Sequence, residues 1–433
     1  SLKLLRQCIQ RIEMNLLVIN PKRVNEEIED KPYWYNYYAG YSHSFAKSII
    51  DSSKLTESSV ILDPWNGAGT TTLMSSLSGY RSVGIDLNPV MKVIAKAKQA
   101  TVEEAVHISL KLQKLSSVRL RKIEDNDPLE FWFHKSGVLA IRKVEHWILG
   151  GARHSAMLDK VESLSIEQCV LYTALFNSVR EYLKAFIPSN PTWIKRPKLE
   201  VDKIDVDWKL FKKRYSFLVI EMLKGLSSET HTWPSDRASL MTASSANLPL
   251  PDECIDLVLS SPPYCTRIDY GIATLPELAI MSDLSTSSIE EVRRSLMGTT
   301  TVSKGIIEWE PSKLGGMCTK FLTDVREHSS KSSATYYYKN ILKYFLDLSL
   351  SLAEISRVMK PEANFVCVVQ DSFYKDVHCN LPSILTEIAL ISGMKLNQRH
   401  DFESKQNMVN LNAKSRRYRK KSIAHESVLI FHK

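Results

Sequence analysis

Four short runs rich in β-branched and aliphatic residues, each ending in a polar or Gly/Pro-rich turn, constrain the fold of this 433-residue chain most strongly. They are residues 60–62, 82–85, 255–259 and 365–369. Such runs are typical of parallel strands that are buried on both faces of a sheet. Segments with helical spacing follow two of them, over Thr70 to Leu77 and over Val90 to about Ile108. The alternation predicts an α/β fold with a doubly wound sheet.

A long helix-patterned stretch, rich in aromatic and basic residues, interrupts this alternation. We therefore predict three units: residues 1–100 as the first part of a sheet domain, residues 101–238 as a mainly helical insertion, and residues 239–433 as the rest of the sheet domain. Near the C-terminus, residues 427–431 have the apolar pattern of a strand. We predict that they form the final, edge strand of the sheet.

Composition places the chain among ordinary globular proteins, with 44% hydrophobic and 24% charged residues. A formal charge of +9 permits a polyanionic partner but is weak evidence for one. The seven cysteines form no Cys-x-x-Cys pair and no Cys/His cluster, so we expect no metal site and a reducing, cytoplasmic compartment. No apolar run approaches the roughly 18 to 20 residues of a membrane helix, which predicts a soluble protein without a membrane partner.

A glycine-containing turn joins the first predicted strand to the first predicted helix. Gly67 and Gly69 carry no Cβ, so the backbone can turn tightly and a ligand can lie against it, while Thr70 and Thr71 can supply hydroxyls. The Gly-x-Gly spacing disfavours a nicotinamide-binding fingerprint, which needs G-x-G-x-x-G. The second predicted strand ends at Asp86, where a carboxylate is expected to accept hydrogen bonds from ribose hydroxyls. Together these features favour a cofactor loop over a purely structural turn.

The predicted strand 255–259 ends abruptly at Ser261-Pro262-Pro263-Tyr264. Two consecutive prolines remove two backbone donors and fix φ, so the carbonyls of the turn are held rigidly and left free to accept hydrogen bonds. An exocyclic amino group is a suitable donor. The Ser261 hydroxyl and the Pro262 carbonyl would accept its hydrogens, and Tyr264 would stack on the extruded base. The alternative is a strand-ending turn with a packing tyrosine, which the presence of a cofactor loop makes less favourable.

These two loops resemble those of the amino-methyltransferases that act on DNA. In that family a D-P-x-x-G-x-G-T loop binds S-adenosylmethionine and an S/D/N-P-P-Y loop holds the target amine. The corresponding segments here are Asp63-Pro64-Trp65-Asn66-Gly67-Ala68-Gly69-Thr70 and Ser261-Pro262-Pro263-Tyr264. The resemblance implies a Rossmann-like methyltransferase sheet, with the sheet domain as the catalytic domain and S-adenosylmethionine as the cofactor. The Ser form of the second motif is most similar to the cytosine-N4 enzymes.

The resemblance covers about residues 31–108 and 239–433 and assigns roles by motif position. Residues 38–45 resemble the family segment that closes over the methionine end of the cofactor, and residues 357–361 resemble the segment that leads into the fifth strand. The cofactor-binding residues that it implies are Tyr38, Ser42, Phe45, Asp63, Pro64, Trp65, Gly67, Gly69, Thr70, Thr71, Asp86, Leu87 and Ser244. The catalytic residues that it implies are Ser261, Pro262, Pro263 and Tyr264.

Two features of the chain depart from the family pattern. Ser244 stands where the third strand often ends in an acidic residue that contacts the adenine, so weaker adenine contacts or a substitute are expected. The cofactor loop precedes the Ser261–Tyr264 loop, whereas many cytosine-N4 enzymes with S-P-P-Y have the opposite order. The target base is consequently less closely defined than the reaction.

The predicted insertion lies between the two motifs, where a target-recognition region could cover the catalytic face. Its residues Trp193, Lys195 and Arg196 stand in a proline-containing loop. An aromatic ring with two cations suits base stacking and phosphate contact, and an ordinary loop between helices is the competing interpretation.

Further cations are predicted to contact nucleic acid, one of them just after the Ser261–Tyr264 turn and the others near the C-terminus. Arg267, three residues after Tyr264, would shape the base pocket or pair with Asp269. The basic cluster near the C-terminus would bind the DNA backbone, with solvated charges as the alternative. Its arginines are Arg416, Arg417 and Arg419.

The sequence therefore predicts a site-specific methyltransferase that uses S-adenosylmethionine to modify the N4 amine of a flipped-out cytosine in DNA. Four alternatives stay open: an adenine-N6 enzyme, an RNA amino-methyltransferase, a small-molecule N-methyltransferase, and an inactive nucleic-acid-binding subunit that has kept the fold. DNA is the predicted partner. Any DNA cleavage would need a separate restriction nuclease or defence subunit, since no nuclease motif is evident in the chain.

Overall fold

A seven-stranded sheet lies at the centre of the computed structural model, which describes residues 16–22, 34–36, 40–119, 124–152, 154, 156–188, 193–227, 238–266, 269–282, 286–299, 309–404 and 424–433. In chain order its strands are β1 (Val60–Asp63), β2 (Arg81–Asp86), β3 (Ala238–Thr242), β4 (Ile255–Ser260), β5 (Met359–Gln370), β8 (Lys395–Ser404) and β9 (Ala424–His432). A separate hairpin consists of β6 (Ser372–Tyr374) and β7 (Val377–Cys379).

The helices of the described residues fall into three groups along the chain. Those around the first two strands are α1 (His43–Ser52), α2 (Thr70–Leu77) and α3 (Pro89–Ala97). Between α3 and β3 lie α4 (Val102–Leu112), α5 (Lys135–Ile148), α6 (Met157–Ser163), α7 (Ile166–Tyr182) and α8 (Trp208–Ser227). After β4 come α9 (Tyr270–Ala273), α10 (Leu275–Met281), α11 (Thr286–Ser295), α12 (Gly315–Glu327), α13 (Tyr338–Val358) and α14 (Leu381–Ile391).

The central strands are largely apolar because helices cover both faces of the sheet. In β5, Val366 and Val368 pack in the cluster that contains α1 and α2, while Phe365 and Cys367 pack in the cluster that contains α13 and α14. All four side chains are fully buried. Successive side chains of a strand point to opposite faces, so a strand that is buried on both sides shows an unbroken apolar run.

The order of the sheet, β3-β2-β1-β4-β5-β9-β8, places a topological switch point between β1 and β4. The five strands from β3 to β5 pair in parallel, and β9 is antiparallel to β5 and to β8. From β1 the chain continues to β2 and β3 on one side, and it returns to β4 on the other. Ligands of open α/β sheets bind in the crevice outside the carboxyl ends of such strands. The loops that follow β1 and β4 both begin there.

The predicted α/β fold with a helical insertion is confirmed. Each of the four predicted strands lies within β1, β2, β4 or β5, and α2 spans the predicted helix from Thr70 to Leu77. The single helix predicted from Val90 to about Ile108 is in fact two helices. The break is at Thr101, whose backbone N–H donates to Glu104 at 2.7 Å in a capping box that starts α4.

The prediction that residues 427–431 form an edge strand was wrong. They lie in β9, which pairs on both sides, and the edge strand is β8. The fully apolar pattern of Val428 to Phe431 is in keeping with an interior strand. The sequence of β8, KLNQRHDFES, is mostly polar, as is common for an edge that must not attract another chain.

The helices α4 to α8 share a single apolar core with α3 and with α9 to α11. Val90 and Ile94 of α3 and Leu278 of α10 belong to this core. The segment after β4 therefore packs against the insertion as well as leading away from the sheet. The boundaries at residues 101 and 238 stay a prediction.

Buried ion pairs join the insertion to α10. The Arg142 guanidinium of α5 forms two hydrogen bonds to Asp127, at 2.7 and 2.8 Å, and donates to the carbonyl oxygens of Ala279 and Ile280 at 3.0 and 2.7 Å. Glu145 also accepts from Arg142, at 2.5 Å. Because these groups are nearly fully buried, their charges depend on one another for compensation.

None of the described helices combines the length and the apolar composition that a membrane crossing needs.

Candidate active site

The loop after β1 depends on glycine for its shape. Gly67 and Gly69 have φ of +48° and +81°, in the left-handed region that favours glycine. A Cβ on Gly69 would lie 2.8 Å from the Cβ of Ala95 in α3, which is closer than two carbon atoms can approach. The loop is thereby drawn against α3, and α2 begins directly after it at Thr70.

We expect Gly69→Ala to destabilise the protein by more than Gly79→Ala does. Gly79 has nearly the same φ, +84°, and nothing within 4 Å of an added Cβ, so its substitution measures backbone strain alone, about 1–2 kcal/mol. Gly69→Ala adds the overlap with Ala95, which costs a further ~1–3 kcal/mol. The free energy of unfolding from urea titration measures both. Equal losses would show that the close approach of the loop to α3 is dispensable.

Asp86, at the end of β2, holds the same loop by hydrogen bonds. One carboxylate oxygen accepts from the Gly67 N–H at 2.8 Å and the other from the Asn88 N–H at 2.8 Å. Burial raises the pKa of Asp86 to about 6, and the two backbone donors oppose that rise. Each oxygen keeps a second lone pair, so Asp86 can still accept from a ligand hydroxyl.

Asp63, at the end of β1, lies at the centre of a buried hydrogen-bond network. One of its oxygens accepts from Ser260 at the end of β4 and from the Trp65 N–H at 3.1 Å. The other accepts from the Thr71 hydroxyl at 2.5 Å and from the Tyr41 hydroxyl at 3.4 Å. Burial raises the pKa of Asp63 to about 6. Asp63 thus ties the loop after β1 to α2 and to β4.

The segment before β1 adds Tyr41 to the hydrogen-bond network of Asp63. Tyr41 was not among the predicted site residues. Ser42 and Phe45, the predicted cofactor contacts, help to form α1: the Ser42 hydroxyl caps it by accepting from the Phe45 N–H at 3.1 Å. The Phe45 ring is fully buried, 5.2 Å from the Tyr41 ring. Tyr38 lies outside the described residues. The cofactor role of Ser42 and Phe45 stays a prediction.

The remaining cofactor candidates lie at the carboxyl ends of β1, β2 and β3. Pro64 is buried and Trp65 is half-buried, and the Trp65 Nε1 has no acceptor among the described residues. Leu87 follows Asp86. Ser244 comes two residues after the end of β3, where its hydroxyl accepts from the Ala246 N–H at 3.2 Å. These residues therefore all lie on the side of the sheet where the parallel strands end.

The carbonyl groups of the two prolines in the loop after β4 differ in their hydrogen bonding to the described residues. The hydroxyl of Tyr344, a buried residue of α13, donates to the Pro263 carbonyl at 2.7 Å. No described residue donates to the Pro262 carbonyl. Burial raises the pKa of Tyr344 well above its ordinary value, so it stays a donor. The role of the Pro262 oxygen toward a ligand stays a prediction.

A chain of hydroxyl groups leads from this loop to β9. The Ser261 hydroxyl donates to the Tyr264 hydroxyl at 3.4 Å, and the Tyr264 hydroxyl donates to the Glu426 carboxylate at 3.4 Å. Burial raises the pKa of Tyr264 well above its ordinary value. Burial also raises the pKa of Glu426, which Tyr264 and Lys22 oppose. Glu426 is 162 residues from Tyr264 in sequence, so no motif could have indicated it.

The structure brings the two predicted loops side by side. The hydrogen bond between Ser260 and Asp63 joins the ends of β4 and β1, where the two loops begin, and Tyr41 also donates to the backbone carbonyl of Leu259 in β4 at 3.2 Å. Sequence reasoning missed Tyr41, Ser260, Tyr344 and Glu426. Only two of these carried a signal, because Tyr41 lies within the segment 38–45 and Ser260 directly precedes the second motif.

The loop that carries the predicted nucleic-acid contacts Trp193, Lys195 and Arg196 is partly exposed and partly packed against the rest of the insertion. Trp193 is 43% exposed and Lys195 is exposed, but the Lys195 backbone carbonyl accepts from the Trp132 indole at 2.9 Å. The Arg196 guanidinium lies 3.7 Å from the centre of the Phe131 ring. The other predicted contacts lie outside the described residues: Arg267, Arg416, Arg417 and Arg419.

Arg293 of α11 brings this loop close to the segment that follows the Ser261–Tyr264 loop. Partial burial and the nearby Arg293 guanidinium lower the pKa of Arg196. Arg293 itself forms ion pairs with Glu290 at 2.6 Å and with Asp269 at 3.4 Å. Asp269 also caps α9 by accepting from the Ile272 N–H at 3.0 Å. Two arginines from different segments are thus close enough to interact electrostatically.

Over the part of the chain that the structure describes, no three His, Cys, Asp or Glu side chains come together in a way that could hold a metal ion.

The chain has a Rossmann-like α/β fold with its candidate site at the switch point of the sheet. Its relatives among known proteins are Type II methyltransferases. M.BsoBI of Geobacillus stearothermophilus is 23% identical over 403 residues, which cover 84% of this chain and 78% of that protein. M.MvaI of Kocuria varians is 22% identical over 79% of this chain and 77% of its own length. M.AvaI of Anabaena variabilis is 21% identical over 82% and 77%.

No protein-family model matches the chain. Among solved structures, the [4+2]-cyclase SpnF covers 99% of it with 9% identity and a TM-score of 0.35, which is too low to carry a conclusion. The chain is therefore similar to Type II methyltransferases over most of its length and of theirs, at low identity.

Proposed function

We propose that this chain is a site-specific DNA methyltransferase that transfers a methyl group from S-adenosylmethionine to the N4 amine of a flipped-out cytosine. The observation that carries the proposal is the pairing of two loops at one switch point. One loop has the shape of a cofactor loop, and the other presents the Ser261 hydroxyl and the Pro262 carbonyl. The similarity to Type II methyltransferases supports the same reaction.

S-adenosylmethionine fits the groups at the carboxyl ends of β1 to β3. Asp86 keeps lone pairs for two ribose hydroxyls, and the Trp65 Nε1 is a buried donor for which no acceptor has been found among the described residues. The first turn of α2 offers backbone N–H groups to an anionic group, since Gly69 supplies no side-chain cap. Ser244 would lie beside the adenine, as the family resemblance implies. When bound, this cofactor supplies a sulfonium methyl group.

The residues of the chain then hold and orient the target amine. Ser261 Oγ and the Pro262 carbonyl oxygen accept its two hydrogens, which directs the nitrogen lone pair toward the methyl group. The Tyr264 ring stacks on the extruded base. The residues of the loop would accelerate the reaction mainly by aligning the amine, and no covalent intermediate with the enzyme would be needed.

Cytosine is favoured as the target because the loop has the Ser form of the motif, which is most similar to cytosine-N4 enzymes. Adenine-N6 is the alternative, since the same two acceptors hold any planar amine. We further propose that the Trp193, Lys195 and Arg196 loop contacts DNA together with Arg293. A separate restriction nuclease or defence subunit as a partner, and a cytoplasmic location, stay proposals that come from the sequence alone.

Product analysis tests this proposal. The purified protein is incubated with labelled S-adenosylmethionine and mixed-sequence duplex DNA beside a Tyr264→Ala control, and the digested nucleosides are identified by mass spectrometry. We expect N4-methylcytosine with the wild type and a large loss with the control, since stacking on a base is worth about 1–3 kcal/mol. N6-methyladenine would overturn the choice of base. Product from RNA alone would overturn the choice of DNA, and failure to bind the cofactor would indicate an inactive subunit.

A further inference from the structure

We propose that Glu426 is the final acceptor of the proton that the target amine loses, and that the proton reaches it through the hydroxyls of Ser261 and Tyr264. This inference rests on the proposed methyl transfer and concerns the route by which the target amine loses its proton. Glu426 acts through Tyr264 and has no contact with the base. It is therefore a positioning and proton-accepting residue, and nothing in the two sequence motifs points to it.

The direction of the hydrogen bonds supports this path. Ser261 Oγ donates to Tyr264 Oη, and Tyr264 Oη donates to Glu426 Oε1, both at 3.4 Å. The donors point the same way, from the open end of the loop toward β9, so each hydroxyl can pass on its own proton as it receives another. Catalytic hydrogen bonds are often long without a substrate and shorten when it binds. The Ser261 hydroxyl is also the group that would accept from the amine.

The chemistry requires such an acceptor. The amine begins with two hydrogens and ends with one, because an N–C bond forms as the S–C bond of the sulfonium breaks. One N–H proton passes to Ser261 Oγ, the Ser261 hydroxyl proton passes to Tyr264 Oη, and the Tyr264 proton passes to Glu426. Both hydroxyls are restored and the carboxylate becomes a neutral acid. The positive charge of the sulfonium and the negative charge of Glu426 disappear together.

The surroundings of Glu426 suit a base that works near neutral pH. The backbone of β9 places it opposite Gln370 of β5 and Phe402 of β8, which carry no charge. Among the described residues, Tyr264 and Lys22 are the ionisable groups that act on it, and burial outweighs them to raise its pKa.

The ionisable groups beside Glu426 on β9 and the neighbouring strands are paired with other groups or lie opposite one another. Asp401 accepts from Ser427 and Arg399, Asp371 pairs with His378 at 3.0 Å, and His425 lies opposite Glu403 in the β8–β9 ladder. The titration of Glu426 is therefore governed mainly by its burial and by Tyr264.

The test measures the rate constant of methyl transfer in a single turnover, from pH 5 to pH 9. The substrate is a long unmethylated DNA duplex with many different short sequences, so that it includes the recognition site. Glu426 must be ionised to accept a proton, so the wild-type rate should rise with pH through its raised pKa. Glu426→Gln can accept a hydrogen bond but cannot take a proton. Saturating cofactor at every pH separates this limb from any weakening of cofactor binding as Asp63 and Asp86 titrate, since their pKa values are also raised. We expect Glu426→Gln to lower the rate by about 100-fold or more and to remove the acidic limb, with the half-saturating concentrations of cofactor and DNA unchanged.

A second variant tests the path itself and stays informative if Glu426→Gln does not fold. Tyr264→Phe keeps the ring that stacks on the base and removes the hydroxyl that passes the proton. We expect a loss similar to that of Glu426→Gln. The double variant should lose no more than either single variant, because members of one relay are not additive.

Glu403→Gln is the matched control, since this exposed carboxylate lies on the neighbouring strand outside the relay. It should keep the wild-type rate and pH profile. Wild-type rates with an intact acidic limb in Glu426→Gln, or additive losses in the double variant, would overturn the relay and leave the methyl transfer standing. Absence of methylated product from the wild type would instead overturn the proposed function.

Discussion

Ser261→Ala is expected to lower the rate constant of methyl transfer by about 100- to 1,000-fold, as the loss of one preorganised hydrogen-bond partner does at other catalytic centres. The side chain is half-buried, and its hydroxyl is the first group of the chain that leads to Glu426. Without it, the amine keeps a single acceptor at Pro262 and its lone pair is no longer directed. Single-turnover kinetics at saturating cofactor measure this loss, and calorimetry should show unchanged cofactor binding.

The adjacent Ser260 is a natural control because its hydroxyl is fully buried against Asp63. Ser260→Ala should weaken the junction between the two loops, so we expect it to lower stability and cofactor affinity more than the rate at saturation. If Ser261→Ala kept the wild-type rate constant, the serine hydroxyl could not be the group that holds the amine. If Ser260→Ala slowed the chemical step more than Ser261→Ala, the two roles would be reversed.

Arg142→Met is expected to destabilise the protein by about 3–5 kcal/mol, because it leaves the carboxylates of Asp127 and Glu145 buried with reduced compensation. It also removes the donors to the carbonyl oxygens of Ala279 and Ile280 in α10. The free energy of unfolding from urea titration measures the loss.

Arg214→Met on the same insertion supplies the comparison. Arg214 pairs with Glu181 at 2.5 Å, and its side chain is 43% exposed. An exposed ion pair contributes about 0–1 kcal/mol, so this substitution should have a small effect. Similar losses for the two arginines would mean that the Arg142 cluster adds no more than a surface pair.

The buried part of the sheet could be predicted from the sequence because burial on both faces leaves an unbroken apolar run. Residues 365–369 show this. The helix from Thr70 to Leu77 could be predicted for a different reason, because it starts directly after its glycine turn. The strand β8 escaped prediction because its mostly polar sequence resembles that of a loop. β9 lies inside the sheet because β8 pairs with its outer side. The sequence of β9 alone does not indicate where β8 packs.

The candidate site could be predicted only as far as its two local motifs. The Gly67 and Gly69 turn and the Ser261–Tyr264 turn each have a local physical reason, so their residues indicate them directly. Tyr344 and Glu426 reach the site through tertiary packing, from 81 and 162 residues away in sequence. Asp63 was expected to contact the cofactor, and the structure adds its hydrogen bonds to Ser260, Thr71 and Tyr41.

The shared core of α4 to α8 with α9 to α11 determines what can be exchanged between such proteins. A graft of residues 101–238 alone would carry about two-thirds of that core into a foreign scaffold and leave Asp127, Arg142 and Glu145 facing an unmatched α10. The transplantable unit is discontinuous and includes residues 269–299. Replacement of this helical unit during evolution would accordingly require two separate stretches of the gene to change in concert.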